Sequence, residues 1–197
     1  VYNTMDVITR SVKVINESAN NILLEKVMSA NVDYETSDYT MLTLPGAWGR
    51  ERHIEKQPLR SGLQSIESRR GASSHQLNPF FALTSKNANE EYGEVYAYNF
   101  VYSGNFTAGV EVDQRMKSRA YMGLNDYDFA WNLGSGECFQ APEVVMVYSA
   151  EGLGKMSRTF HKLYRTRLVR GKYRDEVRPI LANNWEATYF DFNEEKI

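Results

Sequence analysis

Residues 94–102 alternate in a way that a β-strand accommodates and a helix does not. Aromatic side chains occupy every second position, and Val95, Ala97, Asn99 and Val101 fill the positions between them. The aromatic residues are Tyr96, Tyr98, Phe100 and Tyr102. A period of two sorts side chains onto the two faces of a pleated strand, whereas a helix would scatter them around its axis. We therefore predict a strand here, with Tyr96, Tyr98 and Phe100 filling the core of a sandwich.

Further short strands are predicted at close spacing over residues 1–150. Turn-forming segments separate them, and no helical period lies between them. The other predicted strands cover residues 12–15, 22–28, 39–44, 110–112, 119–122, 128–133 and 144–148. The polar run 16–21 predicts a turn that leads the first of these strands directly into the second as its returning partner. The pattern indicates a mainly β fold of the sandwich type.

The hydrophobic period changes after residue 150. Apolar residues then recur at steps of three and four, which is typical of one helix face. They are Leu153, Met156, Phe160, Leu163, Tyr164 and Leu168. Gly171 is well placed to end this helix with a left-handed cap. After Pro179, the short apolar run at residues 180–185 has the character of a buried strand.

Composition and charge exclude several classes of protein. The 197 residues are 42% hydrophobic with a formal net charge of −2, which suits a globular protein without a global attraction to nucleic acids or anionic membranes. The basic helix face at residues 155–174 lacks interleaved stacking aromatics, so we expect no nucleic-acid binding. Charged residues interrupt the first 30 positions, which argues against a signal sequence or a membrane span. The single Cys138 excludes an internal disulfide and fits a reducing compartment, so we expect a cytoplasmic location.

The residue patterns do not predict a metal centre or a serine nucleophile. The three histidines are not at ligand spacing. Ser73-Ser74-His75 could suggest a nucleophile and its base, but neighbours on an extended chain point apart, and the flanking turn residues favour a loop that hydrogen-bonds its own backbone. Gly134-Ser135-Gly136 lacks the context of a phosphate-binding loop and is interpreted as a turn. We expect neither cofactor nor metal.

Several segments, in order along the chain, give the strongest indication of relationship. The long run 178–192 contains Asn183-Asn184-Trp185-Glu186-Ala187-Thr188, and shorter runs precede it. These are residues 44–52, 71–75 with 78–80, 102–106, 136–139 with 142–143, and 161–165. Together they resemble the bacterial α-galactosidases of glycoside hydrolase family 36.

The resemblance implies three regions. Residues 1–150 would be the later part of an N-terminal β-supersandwich whose own N-terminal part is missing, residues 151–177 a linker helix, and residues 178–197 the start of a (β/α)8 barrel. The first barrel strand would lie at residues 180–185. Because the chain opens on strand-like sequence without Met, we expect it to be a piece of a longer protein.

The resemblance also implies a retaining hydrolase with two catalytic aspartates. Their flanking Lys-Trp-Asp and Cys-Ser-Gly-Gly runs are not found in these residues. A barrel needs roughly 250 residues to close, so the isolated chain is expected to be inactive.

One site residue follows from the resemblance. Trp185 would form an aromatic wall of the galactose subsite, the alternative being a tryptophan packed at the barrel rim, and Glu186 would have a structural role. The implied substrates are galactose-containing oligosaccharides of the melibiose, raffinose and stachyose type. The implied assembly is a homotetramer whose N-terminal domains border neighbouring active sites. A non-catalytic β-sandwich module for carbohydrate binding or oligomerisation stays open as the alternative.

Overall fold

The computed structural model describes residues 1–197 as two compact units, Val1–His161 and Lys162–Ile197. The first unit contains fourteen β-strands. They are β1 (Val7–Arg10), β2 (Lys13–Ile15), β3 (Ile22–Leu24), β4 (Met28–Tyr34), β5 (Thr40–Pro45), β6 (Glu55–Pro58), β7 (Gly62–Glu67), β8 (Leu77–Thr84), β9 (Val95–Phe100), β10 (Phe106–Val112), β11 (Ser118–Leu124), β12 (Trp131–Leu133), β13 (Cys138–Gln140) and β14 (Val144–Ser149). Helix α1 (Gly152–Leu163) follows, and the short helix α2 (Trp185–Thr188) lies near the C-terminus. None of these helices combines the length and apolar character that crossing a lipid bilayer requires.

Two antiparallel sheets form the body of the first unit. One has six strands in the order β1-β14-β9-β8-β5-β6, and the other has four in the order β4-β11-β10-β7. Two small sheets, β12-β3 and β13-β2, complete the strand pairing. The mainly β fold predicted from the sequence is confirmed.

The core lies between the two main sheets. Phe81, Tyr98 and Phe100 from the six-stranded sheet share one buried cluster with side chains of the four-stranded sheet such as Phe106 and Met122. The rings of Phe81 and Tyr98 stack with centroids 4.7 Å apart. The predicted core positions Tyr98 and Phe100 are therefore confirmed, and Tyr96 packs against the same cluster. Tyr102 lies beyond the end of β9 and is 40% exposed.

The predicted hairpin across residues 16–21 is wrong. Strand β2 pairs with β13 and β3 pairs with β12, so the two segments that flank the polar run are not partners. The side chain of Asn16 explains the arrangement, because its amide Nδ2 donates to the carbonyl oxygens of Asn20, Leu133 and Gly134 at 2.8, 3.0 and 3.0 Å. These bonds tie the run to the β12–β13 turn, which lies more than a hundred residues further along the chain.

Helix α1 begins on the loop that precedes β9. The backbone N–H groups of Gly152, Leu153 and Gly154 donate to the carbonyls of Gly93, Asn89 and Glu90, each at 2.9 Å. These bonds satisfy donors that the first turn of a helix leaves without partners inside the helix. The predicted helix face is present, since Leu153, Met156, Phe160 and Leu163 are all buried.

The helical region is shorter than the expected linker over residues 151–177. It ends in a π-helical turn at Tyr164–Leu168, and Leu168 is 44% exposed, so the apolar face is no longer buried there. Gly171 does not cap this helix. Its φ of 82° and ψ of −176° precede a separate 3-10 turn at Lys172–Arg174.

The predicted strand at residues 180–185 is not formed in this chain. Ile180 and Leu181 are 101% and 90% exposed, and the residues up to Asn184 have no regular secondary structure. A barrel strand is held by hydrogen bonds to strands on both sides, and the sheets of residues 1–197 include no strand that pairs with this run.

Candidate carbohydrate-contacting surfaces

Trp185 is the first residue of α2 and carries an exposed aromatic group. Its backbone N–H donates to the side-chain oxygen of Asn183 at 3.0 Å, and its ring meets those of Tyr189 and Phe190 edge-to-face at 5.4 and 4.9 Å. Trp185 is 44% exposed and Phe190 is 85% exposed. The structure therefore presents Trp185 at the surface of the second unit, beside two further aromatic rings.

The polar residues around Trp185 close the turn on which it lies. The side-chain amide of Asn184 donates to the Thr188 hydroxyl at 2.9 Å, and that hydroxyl donates to the carbonyl of Asn184 at 3.2 Å. The side-chain oxygen of Asn183 already accepts a hydrogen bond from the backbone N–H of Trp185. The segment is thus a locally closed helical turn, and Glu186 lies exposed on it.

A second exposed tryptophan lies in the first unit, and the sequence reasoning did not single it out. Trp48 is 88% exposed at the tip of the β5–β6 connection. The tip is closed by two hydrogen bonds, from Ala47 N–H to Arg50 O at 3.1 Å and from Arg50 N–H to Ala47 O at 2.9 Å. The available signal was the sequence Gly46-Ala47-Trp48-Gly49, in which glycines flank a tryptophan beyond a strand end.

The segment 71–79, a loop that continues into the start of β8, supports the base of the Trp48 loop. Gly46 N–H donates to Gln76 O at 3.0 Å, and the Asn78 side-chain amide donates to Leu44 O at 3.0 Å. Ser74 Oγ accepts from Gln76 N–H at 3.2 Å, which agrees with the predicted loop and assigns no nucleophilic role to this serine. Two parts of the resemblance that are separate in sequence, residues 44–52 and residues 71–75 with 78–80, therefore lie together in the structure.

A polar cavity of about 400 Å³ lies between these two loops. Its lining provides a carboxylate, a guanidinium, an imidazole, hydroxyls and an amide. The residues are Glu51, Arg52, Ser73, Ser74, His75, Asn78 and Pro79. Hydrogen-bonding groups of this kind, on a loop that also carries an exposed indole, suit a sugar, because hydroxyls need donors and acceptors while the C–H face of the ring packs on a flat aromatic surface.

Another cavity, of about 610 Å³, has a different character. Apolar residues at the ends of both main sheets line it together with Tyr34, Tyr96, Tyr98 and Tyr148. Tyr34 and Tyr98 share a hydrogen bond, and burial raises the pKa of the Tyr98 phenol to about 12. The Tyr98 phenol therefore stays neutral near pH 7. No group of three or more His, Cys, Asp or Glu side chains is arranged to hold a metal ion.

Comparison with known proteins agrees with this fold along the whole chain. The family model described as "Glycosyl hydrolase family 36 N-terminal domain" matches residues 1–134, and the model described as "Melibiase" matches residues 138–197. The chain is 61% identical over 196 residues to alpha-galactosidase AgaA of Geobacillus stearothermophilus. It is 48% identical over 197 residues to alpha-galactosidase Mel36A of Lactobacillus acidophilus. Each alignment includes 100% of this chain and 27% of the relative.

Crystal structures of such enzymes superpose closely. The A355E variant of AgaA in complex with 1-deoxygalactonojirimycin matches with a TM-score of 0.96 at 60% identity, covering 99% of this chain and 27% of that one. A variant of AgaA in complex with stachyose matches with a TM-score of 0.95 at 60% identity, with the same coverage.

The sandwich and the segment that follows it are those of a glycoside hydrolase N-terminal region. The chain belongs to glycosyl hydrolase family 36. It spans 27% of the length of the relatives it matches.

Proposed function

We propose that this chain is part of a retaining α-galactosidase that releases terminal α-linked galactose from oligosaccharides such as raffinose and stachyose. The support is identity of 61% along the whole chain to an α-galactosidase, together with structures of that relative bound to stachyose and raffinose. In the retaining scheme, one carboxylate attacks the anomeric carbon and a second carboxyl protonates the leaving oxygen and later activates water. We propose that both lie outside residues 1–197.

The part of this function proposed for the chain itself is contact with sugar. The observation that carries it is the Trp48 loop, in which the indole is 88% exposed and the neighbouring Glu51 and Arg52 line a polar cavity of about 400 Å³. Trp185, with the rings of Tyr189 and Phe190, offers a second aromatic surface, which we propose as a wall of the galactose subsite. A tryptophan face packs against sugar C–H groups, and neighbouring polar groups select among hydroxyl arrangements.

Two proteins test this function. One is the 197-residue chain alone, and the other is AgaA in which this chain replaces the matching 196 residues; we call the second protein the graft. With p-nitrophenyl α-galactoside, the graft should release nitrophenol and the chain alone should not. An inactive but folded graft would contradict the proposed enzyme, and turnover by the chain alone would contradict the placement of both carboxylates.

Tryptophan variants of the graft test the contacts. We expect Trp48→Ala and Trp185→Ala each to raise KM for raffinose about 5-fold or more, because a stacked aromatic ring contributes about 1–3 kcal/mol. Tyr92 is a suitable control because it is 66% exposed in a different loop, and Tyr92→Ala should leave KM unchanged. Unchanged KM in either tryptophan variant would remove that residue from the proposed site.

A non-catalytic role in carbohydrate binding is the second candidate, and the exposed Trp48 favours it. It predicts that galactose or raffinose changes the tryptophan fluorescence of the 197-residue chain itself. We further propose a homotetrameric, cytoplasmic full-length protein. Sedimentation of the graft and fractionation of the source cells test these two points, and a monomer or an exported protein would contradict them.

A further inference from the structure

We propose that Glu51 is a positioning residue that restrains the tip of the Trp48 loop, and with it the Trp48 indole, by holding the N–H of the peptide bond that follows Trp48. The effect on orientation is a property of the sugar-free chain. Its consequence for affinity rests on the proposed sugar contact at Trp48.

The geometry of the turn identifies which peptide must be held. Trp48 and Gly49 are the two central residues between Ala47 and Arg50, and Gly49 has a φ of 73°. A positive φ at the third residue is the requirement of a type II turn. Conversion of such a turn to type I rotates ψ of the second residue, here Trp48, by about 150° and flips the central peptide. The N–H of that peptide belongs to Gly49.

Glu51 holds this N–H group. Its carboxylate Oε1 accepts from Gly49 N–H at 3.0 Å. A hydrogen bond to an ionised acceptor is stronger than one between neutral groups. Flipping the peptide would turn the N–H away from the carboxylate and break this bond, so Glu51 favours the turn in which Trp48 now lies.

The indole depends on this restraint because its surroundings provide little support. With 88% of its surface exposed, Trp48 is not held by packing, so the freedom of its indole depends on how firmly the backbone of the tip is held. The base of the loop is held separately, by His53 N–H to Pro45 O at 2.7 Å and by the bond from Gly46 to Gln76. Loss of the Glu51 carboxylate should therefore free the tip and leave the base of the loop in place.

A freed tip lowers affinity by lowering the fraction of molecules that present the indole correctly. The apparent dissociation constant rises as the inverse of that fraction. If the competent fraction falls to between a third and a tenth, affinity for the sugar falls about 3- to 10-fold. The rate of the chemical step should not change, because the proposed role involves no contact with the reacting atoms.

The first test measures orientation without sugar. Trp131→Phe and Trp185→Phe leave Trp48 as the single tryptophan of the 197-residue chain, and indole-selective fluorescence anisotropy then reports its motion. We expect Glu51→Ala to lower the anisotropy and Glu51→Gln, which keeps an oxygen acceptor, to preserve it. Glu55→Ala, at an exposed position of β6, is the matched control, and circular dichroism verifies folding. Anisotropy that is unchanged in Glu51→Ala, or lowered equally in Glu51→Gln, overturns the proposal.

The second test measures affinity in the graft. Glu51→Ala should raise KM for raffinose about 3- to 10-fold with kcat unchanged, and Glu51→Gln should restore KM. If Trp48→Ala leaves KM unchanged while Glu51→Ala still lowers the anisotropy, the sugar contact fails and the positioning role stands. If Trp48→Ala raises KM while Glu51→Ala leaves the anisotropy unchanged, the positioning role fails and the sugar contact stands.

Discussion

Gly46→Ala tests the construction of the Trp48 loop most directly. A β-carbon at residue 46 would lie 2.7 Å from Arg50 O, 2.8 Å from His75 O and 2.9 Å from Arg52 N. All three are backbone atoms from the two loops that line the polar cavity, so no side-chain rotation relieves the contacts. Gly46 is not among the residues with positive φ, which means that space and not backbone conformation excludes alanine here.

The expected cost follows from these contacts. Overpacking of this kind destabilises by about 1–3 kcal/mol, and the reduced entropy of the unfolded chain returns about 0.4–1 kcal/mol. We therefore expect a net loss of about 1–2 kcal/mol, or about 2–8 °C in the thermal midpoint of a unit of this size. Because the strain falls on the Trp48 loop, KM of the graft for raffinose should rise as well.

Calorimetry of the 197-residue chain and kinetics of the graft measure these effects. Gly134→Ala is the control, since a β-carbon there would approach within 3.0–3.5 Å only the carboxyl end of the flexible Glu137 side chain, which can move aside. A Gly46→Ala protein with the midpoint and KM of the parent would refute the close packing of the two loops.

Three further predictions concern the scaffold. Asn16→Asp should lower the free energy of unfolding by about 2–4 kcal/mol, because a carboxylate cannot donate to the three carbonyls that accept from the Asn16 amide. Urea titration measures this change, and Asn132→Asp, at an exposed position, is the control. Gly152→Ala should cost about 2–4 kcal/mol by the same assay, since φ is 73° and the β-carbon would strike the backbone of Asn89; an unchanged value would contradict the docking of α1. Burial raises the Tyr98 pKa from 10.0 to about 12, so the unfolded chain loses this proton at a lower pH than the folded chain. As the pH rises from 10 to 12, the free energy of unfolding should therefore fall by up to about 1.4 kcal/mol per pH unit. Tyr98→Phe should remove that component, and a variant with the same pH profile as the parent would contradict the burial of Tyr98.

Local periodicity predicted eight of the fourteen strands and the helix face. It did not predict β1, β4, β6, β7, β8 and β13, and it failed where pairing is non-local. Strand β9 shows its period within nine residues of sequence. The partners of β2 and β3 depend on Asn16 reaching Leu133, 117 residues away. A hairpin has the same local sequence pattern, a short polar run between two apolar runs. Only the hydrogen bonds from Asn16 to the distant carbonyls of Leu133 and Gly134 distinguish the observed pairing from a hairpin. The strand expected at residues 180–185 failed for a related reason, since its stability would come from strands outside the chain.

The candidate site was predictable only in part. Trp185 was found through the motif that surrounds it, whereas the exposure of Trp48 depends on two loops that meet through Gly46 and Gln76, thirty residues apart. Local propensity does not report such a meeting. Nothing in the sequence distinguishes Gly46, which backbone atoms surround closely, from the other glycines of the chain.

Trp48 and Trp185 lie on turns that are closed in the same way, and this bears on how the chain could contact sugar. A polar side chain close in sequence closes the turn in each case, Glu51 to Gly49 N–H around Trp48 and Asn184 to Thr188 around Trp185. A rigid aromatic ring loses little conformational entropy when a ligand packs on it, whereas an exposed ring on a free loop would lose more. Short-range hydrogen bonds restrain the backbone and leave the face of the indole open. Packing against the ring itself would cover that face. The two turns are therefore built to keep their tryptophans both exposed and ordered, and that combination is what a stacking contact with a sugar requires.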